Sequence, residues 1–282
     1  MKVFSKINQV KSEIIGLKTA GNSIGFVPTM GALHQGHISL IEKAKLANDV
    51  VVCSIFVNPA QFNDKSDLLK YPRTLEKDLE MLESAGTDLV FTPETTEIYP
   101  DGEAEEKFDF GNLDKVMEGA HRPGHFRGVA KVVAKLFRIV TPDKAYFGEK
   151  DFQQLVIIKK LEEKLFPEIQ IIACPTVREE DGLAISSRNI LLDMQTREAA
   201  ALISKTLFQV KELKNKMSIN ELKTFVEKKI SSSRFLELGY FEIVDESTLQ
   251  PLTEIMKTKS ARAFIAVKAG AIRLIDNVSL NS

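Results

Sequence analysis

Two histidines, His34 and His37, bracket Gly36 in the stretch Pro28–His37, PTMGALHQGH. Imidazole nitrogens can donate to or partly neutralise anionic oxygens, and glycine lets a backbone approach a ligand closely. The run IGFVPT (24–29) ahead of the stretch reads as a buried strand. ISLIEKAKLA (38–47) behind it has helical spacing, with the helix expected to begin near His37. A turn from strand to helix of this kind aims free N–H groups and a positive dipole end at an anion such as phosphate. The plain alternative is a glycine-containing turn with incidental histidines. Neither a Walker A pattern nor a G-x-G-x-x-G follows a strand here, so a nucleotide would bind through the histidine motif.

Three further segments carry chemistry of the same kind. FVNPAQF (56–62) holds Asn58 and Gln61, amides that can grip a small polar substrate by neutral hydrogen bonds. FGEKDFQQ (147–154) offers Lys150 as a point charge for phosphate. Asp151 there is a helix cap or an acceptor, and Gln154 lies about one turn into the helix. VREEDGLAISSRN (177–189) gathers Ser186, Ser187 and Arg188, two hydroxyls and a guanidinium suited to polyphosphate oxygens. Read one at a time, each is equally a turn, a capped helix start or a surface loop. A fifth segment, GAHRPGHFRG (119–128), pairs His121 and His125 with Arg122 and Arg127, for an anion or a subunit contact. Zinc is the rival for both histidine pairs. Neither pair has Cys, Asp or Glu at ligand spacing, and the neighbouring arginines disfavour a second cation.

These segments fall where an alternating order of strands and helices would bring them to one rim. Strands are expected at 24–29, 49–58, 88–93, 144–147 and 169–174. Helices are expected at 38–47, at 74–86 ending on Gly86, at 129–140 and at 152–166. DVVVCSIFVN is a long β-branched run, continuous rather than alternating, as in a strand buried on both faces of a parallel sheet. The predicted class is therefore α/β, and in such sheets ligands bind outside the carboxyl ends of the strands. Beyond about Val177 the rhythm changes to helices at 195–216 and 219–231. Alternating strands follow at 238–245, 262–269 and 271–277, the last two joined at Gly270. This gives two domains, 1–176 and a smaller α+β domain, 177–282.

Composition narrows the classes. The 282 residues carry 38 Lys and Arg against 39 Asp and Glu, a net charge of −1, which argues against a broad nucleic-acid surface. No apolar run approaches the ~18 residues that span a bilayer, and the lysines of residues 1–21 leave no signal-peptide core. Cys53 and Cys174 sit in apolar runs as small hydrophobes of a reduced, cytoplasmic setting. No Ser-His-Asp order is recognisable and neither cysteine has a histidine neighbour in sequence, so a covalent enzyme intermediate has no support.

Taken in order, PTMGALHQGH, FVNPAQF, YPRTLEKDLE, GAHRPGHFRGV, FGEKDFQQL and PTVREEDGLAISSRN resemble the pantoate–β-alanine ligase (pantothenate synthetase) family, over residues 24 to about 193. The HxGH element alone is shared with the wider nucleotidyltransferase superfamily. The resemblance implies a Rossmann-like N-terminal domain, a small mobile C-terminal lid and a homodimer. It implies joining (R)-pantoate to β-alanine with ATP and Mg²⁺ through a pantoyl-adenylate, releasing pyrophosphate and then AMP. Met30, Gly31, Ala32, Leu33, His34, Gln35, Gly36 and His37 would line the ATP site, with His37 the proton donor and His34 on the phosphates. Gly148, Glu149, Lys150 and Asp151 would contact the nucleotide. Val177, Ile185, Ser186, Ser187 and Arg188 would close over it, with Ile185 standing where the family pattern has Met. Gln61 and Gln154 would hold pantoate beside Asn58, and Gln61 would also approach β-alanine. The metal ligands stay unassigned. Another HxGH nucleotidyltransferase, an RNA-binding relic and an NAD-linked dehydrogenase are the rivals. The neutral charge and the absence of Trp count against the second, and the missing glycine fingerprint against the third.

Overall fold

The computed structural model describes residues 1–100, 106–255 and 260–281. The chain divides into two compact units, 1–149 with 154–175, and 150–153 with 176–282.

In the first unit the elements run β1 (Lys2–Phe4), α1 (Ile7–Thr19), β2 (Ile24–Thr29), α2 (Gln35–Lys45), β3 (Val50–Ile55), α3 (Lys65–Lys70), α4 (Leu75–Ser84) and β4 (Leu89–Phe91). After the short helices α5 (Thr95–Ile98) and α6 (Glu118–His121) come α7 (His125–Val140), β5 (Lys144–Gly148), α8 (Phe152–Leu165) and β6 (Gln170–Cys174). The six strands form one sheet, ordered β1-β4-β3-β2-β5-β6, and every pairing is parallel. After β2 the chain winds outward through β3 and β4. It later returns to lay β5 on the other side of β2. The switch point therefore lies between the carboxyl ends of β2 and β5, where open α/β sheets bind ligands.

The local reasons are visible in the sequence. β3 is VVVCSI, buried along nearly its whole length, as a central parallel strand must be. The helix expected at 74–86 ends as read. Gly86 takes φ +77 beyond the cap, its N–H reaches Glu83 O, and Thr87 N reaches Leu82 O, closing a Schellman motif. Both cysteines are buried and free, and burial pushes the Cys53 thiol up to about 12, so it stays an inert hydrophobe. Leu33, from the loop after β2, packs with Ile41, Val51, Leu82, Val90 and Tyr146 in one core cluster, which ties that loop to the sheet.

In the second unit α9 (Met194–Leu213) and α10 (Ile219–Ser231) accompany an antiparallel sheet, ordered β7 (Leu236–Asp245), β8 (Ala261–Ala269), β9 (Ile272–Ser279). β8 departs from the expected buried–exposed alternation. Ala261, Ala263, Ile265, Val267 and Ala269 enter the helix-covered core. On the opposite face Phe264 meets the Phe152 ring edge-on, and the Arg262 guanidinium lies 3.7 Å from the centre of that ring. The side chains do alternate in direction, but both faces are covered.

Candidate active site

The first loop on the carboxyl rim is bent over a buried carboxylate. Gly31 and Ala32 both take positive φ, +77 and +50. Asp78 of α4, only 1% exposed, accepts Ala32 N at 2.9 Å on Oδ2 and Leu33 N at 2.8 Å on Oδ1. Thr74 Oγ1 adds a third bond at 3.1 Å. A side chain at Gly31 would come within 3.0 Å of that carboxylate, so glycine is required there by conformation and by space.

The loop delivers the histidines to the first turn of α2, which begins at Gln35, two residues ahead of the expected start. His34 becomes the N-cap and His37 lies within the first turn. Their rings are tilted 33° with centroids 4.0 Å apart. Gly36 leaves room for this, since a Cβ there would stand 3.0 Å from the His34 ring. His34 N donates to His37 Nδ1 at 3.3 Å. A neutral His37 ring that accepts at Nδ1 carries its proton on Nε2, so that atom is the donor it can offer a ligand.

The second loop follows β3. In the 3-10 turn Pro59–Gln61, Asn58 and Gln61 are both buried. Asn58 Oδ1 accepts from Ala60 N (3.2 Å) and from Tyr99 Oη (2.8 Å). Its Nδ2 donates to Gly128 O and to Gln61 Oε1, both at 3.1 Å. Gln61 Oε1 is thus occupied, and its Nε2 points to Met30 Sδ at 2.9 Å, bringing the first and second loops together. His125 Nδ1 lies 2.7 Å from the Gln61 carbonyl, which can only accept, so this nitrogen carries the proton. Arg122 Nη1 lies 3.2 Å from the other ring nitrogen. His125 thus supports Gln61, and Arg127 pairs with Asp114 at 3.2 Å.

Close packing of α7 on this turn depends on Gly128. A Cβ there would stand 2.1 Å from Ala60 O and 2.8 Å from Gln61 Cα. Gly128→Ala is expected to destabilise the protein by about 1–3 kcal/mol, the range for overpacking. Thermal unfolding reads it, and an unshifted midpoint would show that the turn yields freely.

The third loop leaves β5, the strand beside β2. Gly148 ends that strand, Glu149 follows in a 3-10 turn, and Gln154 is half-buried at the third residue of α8. Lys150 and Asp151 group with the second unit. There Asn277 Nδ2 donates to Lys150 O at 2.9 Å, and Lys150 Nζ stands 3.8 Å from the exposed Asp151 carboxylate.

Within the second unit, residues 177–185 form a tight turn closed by Ile185 N to Val177 O (3.0 Å) and Glu179 N to Leu183 O (2.9 Å), with Gly182 at φ +93. Arg178 fastens it through paired bonds to the buried Asp276, at 2.7 and 3.0 Å. Ser186, Ser187 and Arg188 follow, half-buried, with Ser186 Oγ accepting from Arg188 N at 3.2 Å.

Sequence reasoning assigned no role to Asp78 or Tyr99, and it read His125 as part of an anion or subunit contact, where the structure sets it on the Gln61 carbonyl. For Asp78 a signal existed, because it shares the buried face of α4 with Leu82, four residues on. For the other two the partners are 41 and 64 residues away.

Comparison with known proteins agrees with this architecture. A family model described as pantoate-beta-alanine ligase matches residues 2–279. The chain is 51% identical to pantothenate synthetase of Phocaeicola vulgatus, over 99% of both chains, and 48% identical to that of Bacteroides fragilis, over 99% and 98%. Among solved structures it is similar to pantothenate synthetase from Thermus thermophilus, with 40% identity, a TM-score of 0.93 and full coverage of both chains. It is also similar to pantoate-beta-alanine ligase from Francisella tularensis complexed with beta-gamma ATP and beta-alanine, with 38% identity, a TM-score of 0.83, and 100% and 98% coverage. The chain belongs to the pantoate–β-alanine ligase family.

Proposed function

We propose that this protein condenses pantoate with β-alanine to give pantothenate, using ATP and passing through a pantoyl-adenylate. The observation that carries the reading is the paired geometry on the β2 rim: two imidazoles packed ring against ring at the start of α2, and beside their loop a buried amide whose N–H₂ end is turned toward Met30.

The first step is attack of the pantoate carboxylate oxygen on the α-phosphorus of ATP, expelling pyrophosphate. A carboxylate is already a nucleophile and needs no general base. The demand is electrostatic: two anions must meet, and charge must be stabilised on the leaving pyrophosphate. The His37 Nε2–H, His34, the N–H groups opening α2, Lys150 and Arg188 are the groups proposed to meet it. Met30–His37, Gly148–Asp151, Val177 and Ile185–Arg188 form the ATP-binding set. Gln61, with Asn58 behind it, and Gln154 bind pantoate, and Gln61 also contacts β-alanine. In the second step the neutral β-alanine amine attacks the acyl carbon. AMP leaves, and the amine gives up a proton as the amide forms. Proximity and exclusion of water favour that step, a task for residues 177–282 as a mobile lid over residues 1–176.

Among the described residues no three His, Cys, Asp or Glu side chains cluster as a metal seat. Mg²⁺ needs no such cluster, since it would be held chiefly by the ATP phosphates and water, and it would supply charge neutralisation there. No described helix is long and apolar enough to cross a membrane. A cytoplasmic homodimer acting on small molecules, without nucleic acid, completes the proposal.

Isotope exchange between pyrophosphate and ATP tests it. Exchange is expected with pantoate present and β-alanine absent, and AMP release is expected only when both acids are supplied. A requirement for β-alanine in the exchange would rule out a discrete adenylate. Transfer of AMP to a stable nucleotidyl product would favour another HxGH nucleotidyltransferase.

A further inference from the structure

We propose that Tyr99 is a positioning residue for the acid substrate. Its hydroxyl locks the Asn58 amide, and through Asn58 it fixes which end of Gln61 faces the substrate. The inference rests on the reading of Gln61 as a pantoate ligand.

An amide side chain has two donors and an oxygen that accepts twice, and the buried Asn58 uses all four. Two of its partners belong to backbone, Ala60 N and Gly128 O. A third is Gln61, whose orientation is the quantity at stake. The fourth is Tyr99, at 2.8 Å the shortest contact of the set and its one hydroxyl. Because Asn58 Oδ1 accepts from Ala60 N, the phenol must be the donor. It donates a hydrogen bond to Oδ1, and together with the Ala60 N–H this keeps Nδ2 aimed at Gln61 Oε1. Gln61 is then obliged to present Nε2–H, a donor, suited to a carboxylate or hydroxyl oxygen and unsuited to an ammonium group.

Tyr99 itself is well held. It ends α5, its ring lies 6.2 Å from that of Phe56, and the ammonium groups of Lys131 and Lys135 stand 5.0 and 5.3 Å from its centre. These contacts belong to the ring, so Tyr99→Phe deletes the hydroxyl and leaves the packing. Without it, Asn58 Oδ1 keeps only the 3.2 Å bond to Ala60 N and Nδ2 keeps Gly128 O, so the amide is held less firmly and Gln61 with it.

The test is a double-mutant cycle of Tyr99→Phe and Gln61→Ala, reading KM for pantoate and for ATP with the unfolding midpoint of each variant. Tyr99→Phe is expected to raise KM for pantoate about three- to tenfold, the loss of one buried hydrogen bond. KM for ATP should stay nearly unchanged, and the midpoint should fall by no more than the few degrees that one buried hydrogen bond is worth. In the Gln61→Ala background the same change should raise KM for pantoate less than about twofold. Equal effects in both backgrounds, or on both substrates, would make Tyr99 merely structural and overturn the proposal. So would a silent Tyr99→Phe beside a defective Gln61→Ala. A Gln61→Ala protein with unaltered pantoate binding would instead overturn the reading of Gln61 and take the proposal with it.

Discussion

Replacing His37 with alanine is expected to slow adenylate formation on the order of 10²–10³-fold, the usual scale for removing one preorganised donor from a site where charge develops. The argument is geometric. The His37 side chain sits in the first turn of α2, its ring against that of His34, and its Nδ1 takes the N–H of His34 at 3.3 Å. That bond leaves the neutral ring with its proton on Nε2. A positively charged ring would set a second N–H against the backbone donor. The role proposed for His37 is therefore that of a neutral hydrogen-bond donor to a phosphate oxygen, and its replacement by glutamine discriminates that role from proton transfer. The terminal amide of glutamine can place N–H near the position of Nε2 but cannot hand over a proton. His37→Gln should keep the pyrophosphate–ATP exchange rate within about tenfold of the parent, far above His37→Ala. If the two variants were equally slow, proton delivery by His37 would be essential and the neutral-donor account would fall.

The sequence made the strands of the parallel sheet legible where they are long and apolar on both faces, as at 24–29 and 49–58. It made the histidine turn legible because rare residue types stand at short spacing. The beginning of the chain was not legible in this way. β1 has only three residues, too few for any periodicity, and α1 buries just Val10 and Ile14 while Ile15 is 65% exposed. β1 is recognised as a strand only by its pairing with β4, 87 residues on. The supporting residues were hidden for a related reason. Asp78 and Tyr99 are unmarked in the sequence, His125 is marked there for a different role, and each gains its actual role from a partner at least 41 residues away. The residues that would touch substrates are marked by local pattern, whereas those that hold them in place are marked by burial, which exists only in the fold. Lys150 shows the same limit. Four residues of a continuous motif, 150–153, pack with the second unit, because Phe152 lies against Arg262 and Phe264 and the Lys150 carbonyl accepts from Asn277.

Asp78→Asn is expected to slow adenylation on the order of 10²-fold without contact with any substrate, the cost typical of displacing catalytic groups by about 1 Å. Both carboxylate oxygens are in use, one on Ala32 N and the other on Leu33 N and Thr74 Oγ1. Asparagine has one oxygen. Whichever way it turns, its N–H₂ faces a backbone N–H across a gap near 2.8 or 2.9 Å, and at 1% exposure no water can take the lost place. The loop it releases is under strain, since Ala32 holds φ +50 without being glycine, at a cost of about 1–2 kcal/mol. Freed of the clamp, residues 30–33 should relax and carry His34 and His37 away from the phosphates. The strain supplies the decisive control. Adding Ala32→Gly to Asp78→Asn removes the drive to relax and should return about fivefold of the lost rate, equivalent to ~1 kcal/mol. A role for Asp78 confined to global stability predicts instead that rate and unfolding midpoint recover together, because glycine at φ +50 relieves strain in the folded chain whatever the loop does for catalysis. Exchange rates for the single and double variants, read beside their unfolding midpoints, separate the two accounts. An Asp78→Asn protein within about threefold of the parent rate would show that the carboxylate does not hold the histidine loop in its working shape.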